Sequence, residues 1–314
     1  MPTPESHARP SAHHFAAITA AVVMFANAFP AVKVCLGALE GEQIAHPALA
    51  FVPLRFVPVA LIFLLVSLIA LRRETWALLT RHPLRIALAG LCVVPGYNLC
   101  VNAGLEEINP GVSSLIVATA PIQTMLLSLA ILGERIQVRR LLGITIAFGG
   151  MLIVVTLGQG HHVTAAMLRG ALVTLLAPAM WAMFTILLKP VIGSHRPLVA
   201  TAVAVMIGTV PVLLLFERGS IGALLEAPRG LGSWLFLSIG ATALGFWLWT
   251  IPLRVISPTA LAIFVYFIPL VAIVSSIWLW HTETFNLWLA LGGVVVIAGV
   301  AQANIGLWRR PAPG

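Results

Sequence analysis

The sequence predicts an all-α polytopic membrane protein whose ten transmembrane helices form two inverted five-helix repeats. Of its 314 residues, 60% are hydrophobic and only 9% are charged, whereas about 25% are charged in soluble domains. The mean hydropathy of +1.03 agrees with long apolar segments that cross a bilayer. The similarity of the two halves of the chain predicts the repeat.

Ten apolar stretches are long enough for a membrane helix, which takes roughly 20 residues. Most connections between them are short, so successive helices are expected to be antiparallel neighbours. The first stretch is longer than the apolar part of a signal peptide, and we expect it to be retained. The predicted spans are Phe15–Leu36, Ala48–Leu71, Leu84–Leu105, Pro110–Leu132, Leu141–Leu157, Arg169–Leu188, Leu198–Phe216, Leu231–Leu253, Pro258–Trp280 and Asn286–Leu307.

The distribution of Lys and Arg predicts how these spans are oriented, because cytoplasmic loops are enriched in both. With the N-terminus in the cytoplasm, 13 of the 18 basic residues fall on the inner side, and Arg169, Arg218 and Arg229 fall outside. The remaining two, Lys33 and Arg55, lie inside spans. Both termini are therefore predicted to be cytoplasmic.

Prolines recur at matching distances in the two halves of the chain. Pro110 and Pro121 are eleven residues apart, as are Pro258 and Pro269. Because five is an odd number of spans, the second copy begins on the other side of the membrane from the first. Two consecutive copies must therefore have opposite orientations. Inverted repeats are typical of secondary transporters, in which two halves give alternating access to a site near the midplane.

Each half also ends with a glycine stripe. Gly143 and Gly150 in the first half correspond to Gly292 and Gly299 in the second, each pair seven residues apart. Small residues on one face favour close packing between membrane helices. We expect these stripes to pack helices together, and a homodimer through the glycine-striped helices is one form of such packing.

Four segments resemble a known family: PLRF in the second span, YNLCVNAGL in the third, APIQTMLLSLAILGER in the fourth and LLGITIAFGGMLIV in the fifth. Together with the repeated proline and glycine spacing, they make about residues 16–306 similar to the EamA family of the drug/metabolite transporter superfamily. The second half departs from the family pattern, with HTET around Glu283.

The resemblance implies a bacterial inner-membrane exporter or exchanger of small metabolites, commonly amino acids or drug-like compounds. It divides the chain into a cytoplasmic tail (1–14), a first five-helix repeat (15–157), an external loop (158–168), a second repeat (169–307) and a cytoplasmic tail (308–314).

Arg55 lies about seven residues into the second span, roughly 10 Å deep at 1.5 Å per residue. A charge inside a membrane costs a few kcal/mol and normally faces a polar cavity or a partner. One interpretation is a fixed positive charge that attracts a carboxylate or phosphate of the substrate. The other is a structural ion pair with Glu106 or Glu107 at the outer end of the third span. Both stay open at the level of sequence.

Other polar and aromatic residues in the spans are candidates for a shared cavity that suits an amphipathic solute. Each also has a structural interpretation, because amides bond neighbouring membrane helices and Trp and Tyr favour the membrane interface. A long basic side chain such as Lys33 can also extend to the outer headgroups. The predicted substrate-binding residues are Arg55, Lys33, Asn27, Tyr97, Asn98, Asn102, Gln123, Trp181, Trp247 and Tyr266.

The sequence disfavours several other functions. It contains no Asp, no phosphate-binding loop and no ligand spacing typical of zinc, so we predict no cofactor and no metal. No basic cluster accompanies stacking aromatics, so no nucleic-acid partner is expected. The leading hypothesis is a secondary transporter, not an enzyme, whose partners are a small-molecule substrate and the lipid bilayer. The alternatives are a membrane-embedded lipid-modifying enzyme and a non-transporting scaffold.

Overall fold

The computed structural model describes residues 10–41, 44–108, 113, 116–133, 137–158, 165–279 and 287–308. All regular secondary structure in these ranges is helical. The helices are α1 (Ala12–Gly41), α2 (Pro47–Ile69), α3 (Arg72–Arg81), α4 (Pro83–Glu107), α5 (Ala120–Leu132), α6 (Val138–Gly158), α7 (Leu168–Ser194), α8 (Pro197–Leu215), α9 (Ser220–Glu226), α10 (Pro228–Arg254), α11 (258–278) and α12 (Leu287–Trp308).

Six of these helices, α1, α2, α4, α7, α8 and α10, are long and apolar enough to cross a membrane, and shorter apolar helices lie within α5, α11 and α12. The chain is therefore a polytopic membrane protein, helical in its regular structure throughout the described ranges, as its composition predicts. The count of ten spans and the inverted repeat stay predictions. Three predicted span ends, at Pro110, Trp280 and Asn286, lie outside the described residues, as do Glu134 and Glu283 of the family pattern.

Proline and glycine explain where several helices begin and end. Pro47, Pro83, Pro197 and Pro228 each begin a helix, a position where the missing N–H would have no helical partner in any case. Gly133 ends α5 with φ 64°, the left-handed conformation that glycine adopts without strain. Prolines and a glycine at the helix ends therefore account for short connections of the kind that the sequence predicts.

Both α4 and α10 contain a π-helical segment, Cys92–Tyr97 in the first and Phe236–Leu244 in the second. Polar side chains bond to the widened backbone in both. The side-chain amide of Asn98 and the hydroxyl of Thr242 each donate a hydrogen bond of 2.7 Å to the carbonyl five residues earlier. Local π geometry is frequent at functional sites. Tyr97 of the first segment lines the cavity described below, and Thr242 of the second bonds to a side chain that lines it.

The main cluster of buried apolar side chains gathers residues from α1, α2, α4, α7, α8 and α10, with Phe56, Phe184 and Trp249 fully buried. A smaller cluster joins α6 and α12 to α11 through residues such as Ile144 and Val296. The helix pair α6 and α12 therefore packs beside the core that surrounds the cavity.

The glycine stripes of α6 and α12 face each other within the chain. A Cβ on Gly143 would lie 2.5 Å from the Cβ of Ala303, and a Cβ on Gly150 would lie 2.8 Å from the carbonyl oxygen of Gly292. The expected close packing therefore occurs between these two helices. A homodimer through the glycine-striped helices, by way of other faces of α6 and α12, stays a prediction.

Candidate functional site

A cavity lies in the main apolar cluster, where α1, α2, α4, α5, α7, α10 and α11 come together. It contains about 670 Å³ of empty space, its open mouth included. Its walls are mostly apolar and aromatic, with a few polar groups on α2 and α4. Such a lining is typical of sites that bind an amphipathic ligand.

Arg55 of α2 is the one charged side chain among the described residues that line this cavity. It is only 7% exposed. Its Nε donates to the hydroxyl of Thr242 at 2.7 Å, and a terminal nitrogen donates to the side-chain oxygen of Asn98 at 3.3 Å. The guanidinium carbon also lies 5.4 Å from the ring centroid of Phe56, within cation–π range. Thr242 within one π-helical segment and Asn98 directly after the other thus each contribute an oxygen to the same guanidinium.

No carboxylate among the described residues lies within 4.0 Å of the Arg55 guanidinium. Glu107 pairs with Arg169 instead, and Glu106 accepts a hydrogen bond from the backbone N–H of Ala48 at 3.2 Å. The ion pair to Glu106 or Glu107, one of the two interpretations from the sequence, is therefore wrong. Since neutral oxygens do not cancel its charge, Arg55 gives the cavity a net positive potential.

Trp181 of α7 lies at the centre of an aromatic cluster in the cavity wall. Its ring meets Phe25 and Phe246 edge-on, at centroid distances of 5.4 and 5.3 Å, and Tyr97 in a tilted contact at 5.4 Å. Edge-to-face pairs at such distances stabilise the cluster beyond simple burial. The rings join α1, α4, α7 and α10 and offer apolar surface in the same cavity as the Arg55 charge.

Half of the predicted substrate-binding residues come together in this cavity. One of them, Asn102, also joins helices, because its amide donates to the carbonyl of Ala48 at 3.1 Å. The five that line the cavity are Arg55, Tyr97, Asn98, Asn102 and Trp181.

Three predicted residues of the first half do not line the cavity. Lys33 is exposed on α1. The amide of Asn27 donates to the carbonyl of Val23 in its own helix at 2.9 Å. The amide of Gln123 donates to Thr119 at 3.0 Å and reaches a carbonyl of α7 at 3.4 Å. The amides of Asn27 and Gln123 bond the backbone and a neighbouring helix, and the part of these three residues in substrate binding stays a prediction.

Two predicted aromatic residues of the second half also lie elsewhere. Trp247 is half-buried and does not line the cavity. Tyr266 is completely buried in the cluster that joins α11 to α6 and α12, and its hydroxyl has no hydrogen-bond partner among the described residues. The aromatic wall of the cavity is formed by Trp181 and Phe246 instead.

Sequence reasoning missed Thr242 and the phenylalanines of the wall. A signal for Thr242 was present, since it lies 14 residues after Pro228 while Asn98 lies 15 residues after Pro83. Aligning the two prolines that begin α10 and α4 would have put both residues at nearly the same position. For Phe25 and Phe246 we find no signal that separates them from other phenylalanines of the apolar helices.

Comparison with known proteins gives a consistent result. A model described as the EamA-like transporter family matches residues 14–156 and 168–305. A probable terminal-alkyne amino-acid exporter from Streptantibioticus cattleyicolor is 27% identical and covers 92% of both chains. An uncharacterized transporter from Archaeoglobus fulgidus is 26% identical over 89% of this chain and 94% of its own.

A similar fold is present among solved structures. One crystal structure superposes with a TM-score of 0.75 over 96% of this chain and 99% of its own, at 17% sequence identity. At that identity the likeness shows a common fold and no more.

Proposed function

The chain belongs to the EamA-like transporter family, and on that premise we propose that it transports small amphipathic organic anions, amino acids among them, by alternating access. One observation carries the proposal. Arg55 is a buried cation at an apolar cavity, with hydrogen bonds only to neutral oxygens among the described residues. A buried charge without a counter-charge is costly in a membrane protein and is typical of a substrate path. Members of this family are transporters, so family membership does not support the enzyme alternative.

The cavity suits a solute with one anionic group and one apolar group. Arg55 binds the carboxylate through charge-assisted hydrogen bonds, which are stronger than neutral ones. The rings around Trp181 contact the apolar part, and an ammonium group, where the solute has one, lies against an aromatic face. The name of the relative from Streptantibioticus cattleyicolor, a probable terminal-alkyne amino-acid exporter, supports a solute of this kind.

We propose that the two halves are inverted repeats, α1, α2, α4, α5 and α6 against α7, α8, α10, α11 and α12. The packing supports this division because it is unchanged when each helix is exchanged for its counterpart. Helix α4 packs on α8 as α10 packs on α2, and α5 packs on α7 as α11 packs on α1, while α6 and α12 pack on each other. The two separate matches to one family model and the π-helical segments in both α4 and α10 also support it.

The transporter is proposed to lie in a bacterial inner membrane with both termini in the cytoplasm, where it exports or exchanges its substrate. The excess of basic residues in the loops assigned to the inner side supports this orientation. Reporter fusions at the C-terminus test it, and a periplasmic C-terminus would contradict it.

Counterflow in proteoliposomes tests the function. We expect phenylacetate and phenylalanine to exchange across the membrane, and phenethylamine, which has the same ring but no carboxylate, to fail. Liposomes containing the Arg55→Met variant are the matched control. Transport of phenethylamine alone, or equal transport by the variant, would contradict an anion-binding role for the cavity.

A further inference from the structure

A second cavity lies away from the transport site, where α2 ends and α3 begins beside α8. It is an open groove with about 1470 Å³ of empty space, open solvent included. We propose that it binds an anionic phospholipid, with the phosphate at the start of α3 and an acyl chain along α2. The residues that carry the proposal are Leu64, Ser67, Leu68, Arg72, Arg73 and Thr75.

Two arginines give the groove a positive charge. Arg72 and Arg73 are exposed and line it. The adjacent carboxylate, Glu74, is engaged elsewhere, since it accepts the backbone N–H of Arg196 at 2.6 Å and pairs with the Arg196 guanidinium at 3.4 Å. No carboxylate of the described residues lies within 4.0 Å of either groove arginine. An anion therefore finds two uncompensated guanidinium groups.

Two buried hydroxyls in the same groove have no hydrogen-bond partner among the described residues. Ser67 is 3% exposed, and neither its Oγ nor the Oγ1 of Thr75 has a partner. Buried hydroxyls in membrane helices normally bond a carbonyl or a neighbouring side chain. A phosphate oxygen accepts hydrogen bonds and would satisfy either hydroxyl once that side chain turns toward the groove.

The backbone adds to this preference for an anion. Helix α3 is ten residues long, begins at Arg72 and has no side-chain hydrogen bond at its N-cap. The first N–H groups of a helix and its dipole favour a phosphate at that end. The start of α3 therefore offers donors from its backbone as well as from its side chains.

The apolar side of the groove indicates a lipid and not a free phosphate. Leu64 and Leu68 are 45% and 59% exposed on α2, and Trp76 of α3 is 70% exposed. A chain that follows these leucines covers apolar surface, while Trp is typical of the boundary between acyl chains and headgroups. The basic end and the apolar side together match one phospholipid molecule.

Lipid titration of the purified protein in detergent tests this site. Dioctanoyl phosphatidylglycerol is expected to raise the melting temperature, and dioctanoyl phosphatidylcholine or inorganic phosphate to raise it much less. The Arg72→Gln, Arg73→Gln variant should require about 25-fold more phosphatidylglycerol for a half-maximal shift, at about 1 kcal/mol, or fivefold, per basic residue near anionic lipid.

Two further variants make the result specific. Arg81→Gln with Arg85→Gln removes two other exposed arginines that do not line the groove, and should leave the titration unchanged. Ser67→Ala should weaken the lipid effect about fivefold, the loss of one net hydrogen bond. It should not lower the melting temperature of the lipid-free protein, because its hydroxyl has no partner among the described residues.

Three results would overturn the assignment. The first is a normal lipid titration in the Arg72, Arg73 variant or in Ser67→Ala. The second is an equal loss in the Arg81, Arg85 variant, which would indicate attraction to surface charge in general. The third is a shift with inorganic phosphate as large as that with phosphatidylglycerol, which would exclude a contribution from the acyl chain.

Discussion

Replacing Arg55 by Met should weaken the binding of an anionic solute strongly while changing the stability of the empty protein little. Methionine retains an apolar side chain of similar length but removes the charge and its donors. If Arg55 is a substrate contact, these two effects separate. If it were a purely structural residue, the stability of the empty protein would fall while the affinity for the solute stayed unchanged.

The size of the binding effect follows from the contact that is lost. A hydrogen bond to a charged group contributes about 1.5–3 kcal/mol. At 1.4 kcal/mol per factor of ten, the dissociation constant of phenylacetate should rise about 10- to 150-fold.

The effect of Arg55→Met on the stability of the empty protein is a small difference between two larger free-energy changes. Losing Arg55 relieves a buried charge that costs about 2.5–3.5 kcal/mol on insertion scales. It also removes the hydrogen bonds to Thr242 and Asn98. The Thr242 hydroxyl keeps its bond to the carbonyl of Leu237, whereas the Asn98 oxygen loses its partner, and an unsatisfied buried acceptor costs about 1–3 kcal/mol. The two nearly cancel, whereas breaking a buried ion pair would cost about 3–5 kcal/mol.

Calorimetric titration of the purified variants measures their affinity for the solute, and thermal melting measures their stability without it. Phenylacetate should bind weakly to Arg55→Met, while 2-phenylethanol, which has the ring but no charge, should bind it as it binds the wild type. The affinity of Arg55→Lys for phenylacetate should lie between those of the wild type and Arg55→Met, because an ammonium keeps the charge without the planar guanidinium geometry. Wild-type affinity of Arg55→Met for phenylacetate would refute the reasoning. So would a large loss of melting temperature in a variant whose affinity is unchanged.

Three other predictions concern different parts of the structure. Trp181→Ala should lower affinity for phenylacetate more than for butyrate, by about 0.5–1.5 kcal/mol of lost ring contact, as measured by the same titrations. Gly90→Ala should destabilise by about 1–3 kcal/mol, because a Cβ there would overlap the backbone of α8, whereas Gly37→Ala, with nothing within 4 Å, should not. Burial and neighbouring basic groups, including the His195 ring at 5.6 Å, lower the pKa of His82 from its ordinary 6.5. Stability should therefore fall as pH drops below about 6.5, and His82→Asn should reduce that fall in melting temperature between pH 7.5 and 5.5.

The apolar helices were predictable because the composition of each segment alone indicates that it is surrounded by protein or lipid. A run such as Pro47–Ile69 must be buried in protein or lipid along its whole length, whatever its neighbours are. The position of Arg55 was predictable for the same reason, since a charge inside that run is visible without knowing the fold.

The contacts of Arg55 were not predictable in the same way. Thr242 lies 187 residues further along the chain, and only the packing of α10 on α2 brings the two together. Gln123 and Asn27 show the same limit of prediction from sequence. Their amides look like those of Asn98 in sequence, yet they bond carbonyls outside the cavity, because rotation about the helix axis decides which face an amide occupies.

The helix packing is similar in the two halves, so the position of the single cavity charge can be compared with its counterpart in the other half. Counted from the prolines that begin the two helices, Arg55 of α2 corresponds to Val205 of α8, which is fully buried. In the proposed repeat the helix packing is nearly symmetric, whereas the charge is not. Asn98 and Thr242 hold similar positions in α4 and α10, so one guanidinium bonds to both helices at once. A second arginine at the Val205 position would add a like charge to an apolar interior, where repulsion is poorly screened. One cation shared by both halves is therefore the arrangement that this packing tolerates.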